Sequence, residues 1–222
     1  MVSPRSSRHR QALCISGAAI VGVSLRLATA RLGHNYDLES FEIVGTLVTA
    51  GKTVYSHTDR YNYGPVWAYL LGALKQFQFH LGFQGPETYH LIISGLLSVV
   101  DVLTACALWQ RWGLVPAMLL LLNPVSILIT GYHAQFEGLA LYVGLWSWIL
   151  LDRPGQGGAA AGAAARGASW RDITISSVLM ALSLTIKHLL VFLPLWVCFR
   201  PRMTWPKRAV YCGISYGLFL GA

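Results

Sequence analysis

The sequence predicts an all-α integral membrane protein, a polytopic helical bundle, on three observations. Hydrophobic residues make up 55% of the chain and charged residues only 12%, against roughly 25% charged in a soluble domain. The apolar residues fall in runs that approach the roughly 20 residues needed to cross a bilayer. No stretch shows the short alternating segments of a membrane barrel, and a helix satisfies its own backbone hydrogen bonds in hydrocarbon. The formal charge of +8 does not point to nucleic acid. Its cations sit in short clusters between apolar runs, a topology signal, rather than on one solvated face.

The elements follow in order. The first span is expected over 11–31. Arg5, Arg8 and Arg10 precede it, which places the N-terminus in the cytoplasm. A basic start, an apolar 12–25 and Ala28-Thr29-Ala30 also fit a cleaved signal peptide. Either way the chain emerges on the outer face, and 33–87 is expected as a long outer loop. Its apolar piece, 66–83, carries Lys75, Gln76, Gln78 and His80, which are costly at mid-membrane. A helix lying along the interface is expected there, anchored by Trp67 and Tyr69.

Further spans are expected over 89–109, 114–130 and 136–151. With 66–83 kept outside, Arg111 and the arginines of a Gly/Ala-rich linker over 153–171 are cytoplasmic, as the positive-inside rule prefers. That linker reads as flexible. The stretch 172–199 is long for one span and short for two, with basic residues on both flanks. Two half-helices meeting near Lys187-His188 fit it, and so does one long tilted span. The last apolar run, 209–222, is below span length. A single membrane domain over 1–222, cut short inside its last helix, is the expectation. The membrane is the plasma membrane in a bacterium or the endoplasmic reticulum in a eukaryote. The four cysteines lack metal-ligand spacing and read as small buried hydrophobes, with no disulfide framework and no redox site.

Four clusters carry chemistry. Asp37 and Glu39 open the outer loop. They suit a general base or, together, a divalent cation site, and Asp37 equally suits capping a helix that begins near Leu38. Tyr63-Gly64-Pro65 makes a rigid turn into a helix, with aromatic faces suited to sugar rings, to lipid headgroups or to an ordinary interfacial belt. His133, Gln135 and Glu137 stand at a span mouth, where polar groups face protein or water. Lys187-His188 sits within an apolar run and wants an anion: a lipid phosphate, or an acid of the chain such as Asp101 or Glu137.

In this order the clusters resemble the N-terminal half of the GT-C fold glycosyltransferases, which take a sugar from a polyprenyl or dolichyl phosphate. Asp37-Leu38-Glu39 and Tyr63-Gly64-Pro65 look like that family's first outer loop. Leu122-Asn123-Pro124-Val125 followed by His133-Ala134-Gln135-Phe136-Glu137 is similar to the Asn-Pro…His-Phe-Gln signature of the dolichyl-phosphate-glucose-dependent glucosyltransferases. Ile186-Lys187-His188-Leu189 with Pro194 is similar to their Lys-His/Gln…Pro segment. The loop also resembles that of the first mannosyltransferase of GPI-anchor synthesis, through Gly51-Lys52-Thr53-Val54-Tyr55 and Tyr61-Asn62-Tyr63-Gly64-Pro65. Two positions depart: Thr130 stands where the glucosyltransferases have an acid, and Gly-Pro replaces Pro-Pro.

The resemblance implies inverting transfer of a hexose, mannose or glucose, to an acceptor hydroxyl on a lipid-linked or glycan acceptor. Asp37 is then the base, with Glu39 assisting it. Tyr63, His133, Gln135 and Glu137 shape the substrate pocket, and Lys187 and His188 hold the lipid phosphate. It implies no obligatory cofactor, leaves a divalent cation open, and makes membrane lipids the surroundings. Competing readings are a transporter or lipid-binding membrane protein, a membrane acyltransferase using His133 or His188, and a non-catalytic fragment.

Overall fold

The structure, a computed structural model, describes residues 4–152, 168–200 and 203–222. Among these it is helical throughout, with no strand. Two helices are long and apolar enough to cross a membrane, and up to four such spans result if each of two bent pairs is one span. The chain forms two compact units. The first takes the residues up to 62 together with 67–138, and the second takes 63–66 together with the chain from 139 onward. Most of the linker expected over 153–171, with Arg153 and Arg166, lies outside the described residues, as does Arg202.

In the first unit, α1 (Pro4–Ala30) and α4 (Pro86–Trp112) are the two long helices. They run antiparallel. Trp109 Nε1 donates to Gln11 Oε1 near one end. Near the other, the end of α1 and the start of α4 both meet Gly131. A Cβ on Gly131 would strike Thr29 Oγ1 and the Arg26 backbone, while His90 Nε2 donates to the Gly131 carbonyl at 2.8 Å. The stretch between α1 and α4 therefore leaves and rejoins the pair at the same end. Ile15 and Ala18 of α1 pack on Ala105 of α4 and on Ala117 and Leu121 of α5 (Leu114–Leu122). The opposite side of α1 exposes Leu13, Ile20, Val21 and Leu25, as a lipid-facing helix would.

The span expected over 114–130 is broken. The helix α5 ends at Leu122, and α6 (Pro124–Gly131) leaves it at 52°. Pro124 lacks an N–H, so Leu120 loses its helical partner. Asn123 caps α6, accepting from Val125 N at 2.9 Å, and so diverts the donor that Leu121 would have used.

Two helices fill the stretch expected as the outer loop. The first, α2 (Tyr36–Thr49), packs on α4, and the second, α3 (Pro65–His80), lies against them both. Trp67 corrects the expectation of an interfacial anchor. It is fully buried, stacked on Phe136 at 4.4 Å with Phe41 edge-on to both. Tyr69 is exposed as expected. The polar residues of α3 divide. Lys75 is buried and pairs with Glu42 at 3.0 Å, and Gln78 donates to the Gly85 carbonyl. The outer side carries Phe77, Phe79, Leu81 and Phe83 instead.

In the second unit, most of α7 (Glu137–Leu151) accompanies α8 (Trp170–Ile186), α9 (Leu193–Val197) and α10 (Trp205–Leu220). Ile173, Met180 and Leu184 of α8 pack with Leu151, Val197 and Tyr211. Hydroxyls lace the helices together. Ser147 Oγ lies 2.9 Å from Ser176 Oγ and 3.0 Å from Tyr211 OH, and Ser183 donates to the Ala140 carbonyl at 2.7 Å. Of the two arrangements open for 172–199, the broken one is found. The chain turns by 119° between α8 and the segment His188–Val197. Cys198 and Cys212 come together with their sulfurs 3.2 Å apart, a pairing that their sequence spacing did not suggest.

Candidate functional site

The carboxylate of Asp37 is held in the first unit by the chain on both sides of it. Two backbone bonds, Arg31 N to Ala28 O and Leu32 N to Thr29 O, close α1. Gly33, at φ +143°, turns the chain in a conformation that side chains disfavour. Asn35, not Asp37, then caps α2: its Oδ1 accepts from Leu38 N at 3.4 Å. The two hydrogens of Asn35 Nδ2 serve two partners, Asp37 Oδ2 at 3.1 Å and His133 Nδ1 at 3.1 Å. With the amide so oriented, His133 Nδ1 is the acceptor, which leaves the ring proton of the neutral imidazole on Nε2.

His133 and Gln135 come from the loop that follows α6. Tyr132 N and His133 N both donate to Leu128 O, and Gln135 N donates to Ile129 O. This folds the loop back over the end of α6. The reversal puts Ala134 at φ +50°, in a region that costs a side-chain-bearing residue of order 1–3 kcal/mol. Ala134 is fully buried, and its turn aims Gln135 so that Nε2 donates to Asp37 Oδ2. One oxygen of Asp37 thus takes two amide donors, and among the described residues Oδ1 takes no hydrogen bond. A carboxylate fixed through one oxygen and half-open at the other is placed to accept a proton.

Glu39 is not brought to Asp37. Both lie on α2, and residues two apart on a helix do not face each other. Glu39 is exposed and pairs with Arg60 at 3.1 Å, with His34 Nε2 4.0 Å away. Arg60 is itself laid over the Tyr36 ring at 3.7 Å. Among the described residues no group of three or more His, Cys, Asp or Glu is placed to hold a metal ion. Glu137 is the first residue of α7, half-buried, one residue before Gly138 packs on Asp101.

Tyr63, Lys187 and His188 belong to the second unit. Gly64 lies so close to the Thr185 carbonyl that no side chain would fit. This seats the Tyr63-Gly64-Pro65 turn on the end of α8. Lys187 ends that helix in extended backbone (φ −157°, ψ 127°), its N–H on Ser183 O at 3.0 Å. Its ammonium stands 5.1 Å from the centre of the Tyr63 ring, within cation–π range. His188 is exposed and opens a short 3-10 turn. Tyr63, Gly64, Thr185, Lys187 and His188 line a cleft of about 90 Å³, well below the roughly 300 Å³ at which small-molecule pockets begin.

Sequence reasoning missed a buried polar cluster in the first unit. Arg26, inside the apolar run of α1, is fully buried and ion-paired with Asp101 of α4 at 2.9 Å. The negative charge of Asp101, one of two acids expected to answer Lys187, is therefore met by Arg26. The signal was present: an arginine and an aspartate, each inside a span-length apolar run, call for one another.

Comparison with known protein families, with curated proteins and with solved structures finds no match to any of them.

Proposed function

We propose that this chain is a multi-pass membrane glycosyltransferase, with its N-terminus in the cytoplasm. It moves a hexose, mannose or glucose, from a polyprenyl or dolichyl phosphate to an acceptor hydroxyl on the outer or lumenal face. The observation that carries the reading is the Asp37 carboxylate, held through Oδ2 by Asn35 and Gln135 with Oδ1 open. An acceptor hydroxyl attacking an anomeric carbon must lose its proton, and in this reading Oδ1 takes it. The bond to the lipid phosphate breaks as the new glycosidic bond forms on the opposite face, so configuration inverts. In the second unit, Lys187 and His188 are assigned to the anionic phosphate, where a cation favours the departing charge. The sequence resemblance supports the donor class. Membranes carrying the chain are to be assayed with labelled polyprenyl- and dolichyl-phosphate glucose and mannose. Asp37→Asn should abolish transfer at unchanged expression, and retained turnover would remove Asp37 from the mechanism.

A second reading has one observation of its own. The helix break at Lys187 also suits a transporter, in which broken helices line a substrate path. Uptake of a labelled sugar lipid into proteoliposomes, with the sugar still attached to its carrier, would favour it over transfer.

A further inference from the structure

Arg26 uses every donor it has. Nε donates to Asp101 Oδ2 at 2.9 Å. Nη1 donates to the carbonyls of Leu121 at 2.9 Å and Gly22 at 3.1 Å. Nη2 donates to Ser126 Oγ at 2.7 Å and the Leu120 carbonyl at 3.2 Å. A guanidinium has five N–H groups, and three of them go to one place, the break between α5 and α6. There Pro124 and the Asn123 cap leave the Leu120 and Leu121 carbonyls without helical donors. Gly22 makes the approach possible, because a Cβ there would lie 2.5 Å from the Leu121 carbonyl oxygen.

Asp101 carries the arrangement onward. Its Oδ2 also accepts from Thr130 Oγ1 at 2.8 Å, one residue before Gly131. Its Oδ1 lies against Gly138, where a Cβ would stand 3.1 Å away. The loop that presents His133 and Gln135 is thus bonded to this carboxylate at its start, through Thr130, and packs against it at its end, at Gly138. That carboxylate is in turn oriented by one arginine.

We infer that Arg26 and Asp101 are positioning residues that set the Gly131–Gly138 loop, and through it the contacts of Gln135 and His133 with the Asp37–Asn35 pair. A buried ion pair is weak support for stability, because desolvation offsets the attraction. Its use here is geometric: it fixes where a bent helix ends and the next begins. The consequence for catalysis rests on the glycosyltransferase reading; the placement of the loop does not.

The test uses the full chain with its native cysteines replaced and two introduced, D37C and Q135C, which the contact between the native side chains places within reach of a short bifunctional thiol reagent that cross-links them. Onto it goes the double variant R26M/D101L. This variant removes both charges together and leaves neither buried alone. It should remain monodisperse and fully helical, yet lose the cross-link. In the chain without the introduced cysteines, the same double variant should lower kcat about 100-fold, the scale of a misplacement near 1 Å, with KM for the sugar lipid little changed. A folded double variant that keeps the cross-link and kcat would overturn the inference and leave the pair a packing feature. Should the double variant fail to fold, Thr130→Val carries the test. It removes only the hydroxyl that ties Asp101 to the loop, and it should reduce the cross-link yield; an unchanged yield would again overturn the inference. Because cross-linking needs no turnover, a chain without transferase activity would sink the functional reading while still deciding this one.

Discussion

At the scale of the residue, the first unit depends on side chains that are absent. Where α1 crosses α6, Gly131 sits against Thr29 Oγ1 and the Arg26 backbone with no room for a Cβ. Gly131→Ala should therefore push α1 and α6 apart and cost about 1–3 kcal/mol, the usual range for overpacking. Thermal unfolding in detergent reads this as a lowered Tm. Gly17 is the control. It lies in α1, exposed, with open space where its Cβ would go. A glycine in a helix interior costs roughly 0.5–1 kcal/mol relative to alanine, so Gly17→Ala should raise Tm slightly. Equal effects from the two substitutions would mean that the close crossing is absent.

At the scale of the element, the α5–α6 break is the feature that aims the loop, and Pro124 is its cause. Pro124→Ala restores an N–H that can return to the Leu120 carbonyl and compete with Arg26 Nη2 for it. The 52° bend should open. Spin labels at exposed Val115 and Leu128 should then lie farther apart in the variant, and an unchanged distance would mean that the Asn123 cap and Arg26 hold the bend without proline. This break shows what the sequence carried and what it did not. Asn123-Pro124 stood out as a motif while 114–130 was expected as one span, because apolar length alone cannot tell a straight helix from a bent one. At Lys187 the basic residues on both flanks of 172–199 added a constraint that length lacked, and the break was legible there as one of two arrangements. Trp67 was misplaced because an aromatic at the start of an amphipathic helix suits a membrane interface and a protein core alike. Only the partners, Phe41 and Phe136, decide between them. Arg26 was missed for another reason: an arginine inside an apolar run asks for an acid, but that acid, Asp101, lies 75 residues away. Within the site, Asp37, His133 and Gln135 were legible as polar residues at membrane-flanking positions. Asn35, which joins Asp37 to His133, did not stand out in the sequence.

At the scale of the whole molecule, the prediction concerns sidedness. The end of α1 and the start of α4 share Gly131, so the outer stretch and the 131–136 loop lie at one end of the first unit, together with Asp37. At the other end of the first unit stand Arg8 and Arg10, near the start of α1, and Arg111, at the end of α4; in the second unit Arg200, Lys207 and Arg208 follow the broken helix. The positive-inside rule puts those clusters in the cytoplasm. Between the outer stretch and residue 204, α4, the bent pair α5–α6 and α7 make three proposed crossings. The segment from α8 to α9 turns back on itself by 119° and adds none. On that proposal an odd number of crossings separates His57 from Thr204, both exposed. In intact cells or sealed vesicles of known orientation, His57→Cys should react with a membrane-impermeant thiol reagent from the outer or lumenal side. Thr204→Cys should react only from the cytoplasmic side, the native cysteines being replaced in both. Reaction of both from one side would mean an even number of crossings, so that α8–α9 spans or α7 does not. Reversed reaction would turn Asp37 toward the cytoplasm, where an acceptor on the outer or lumenal face could not reach it.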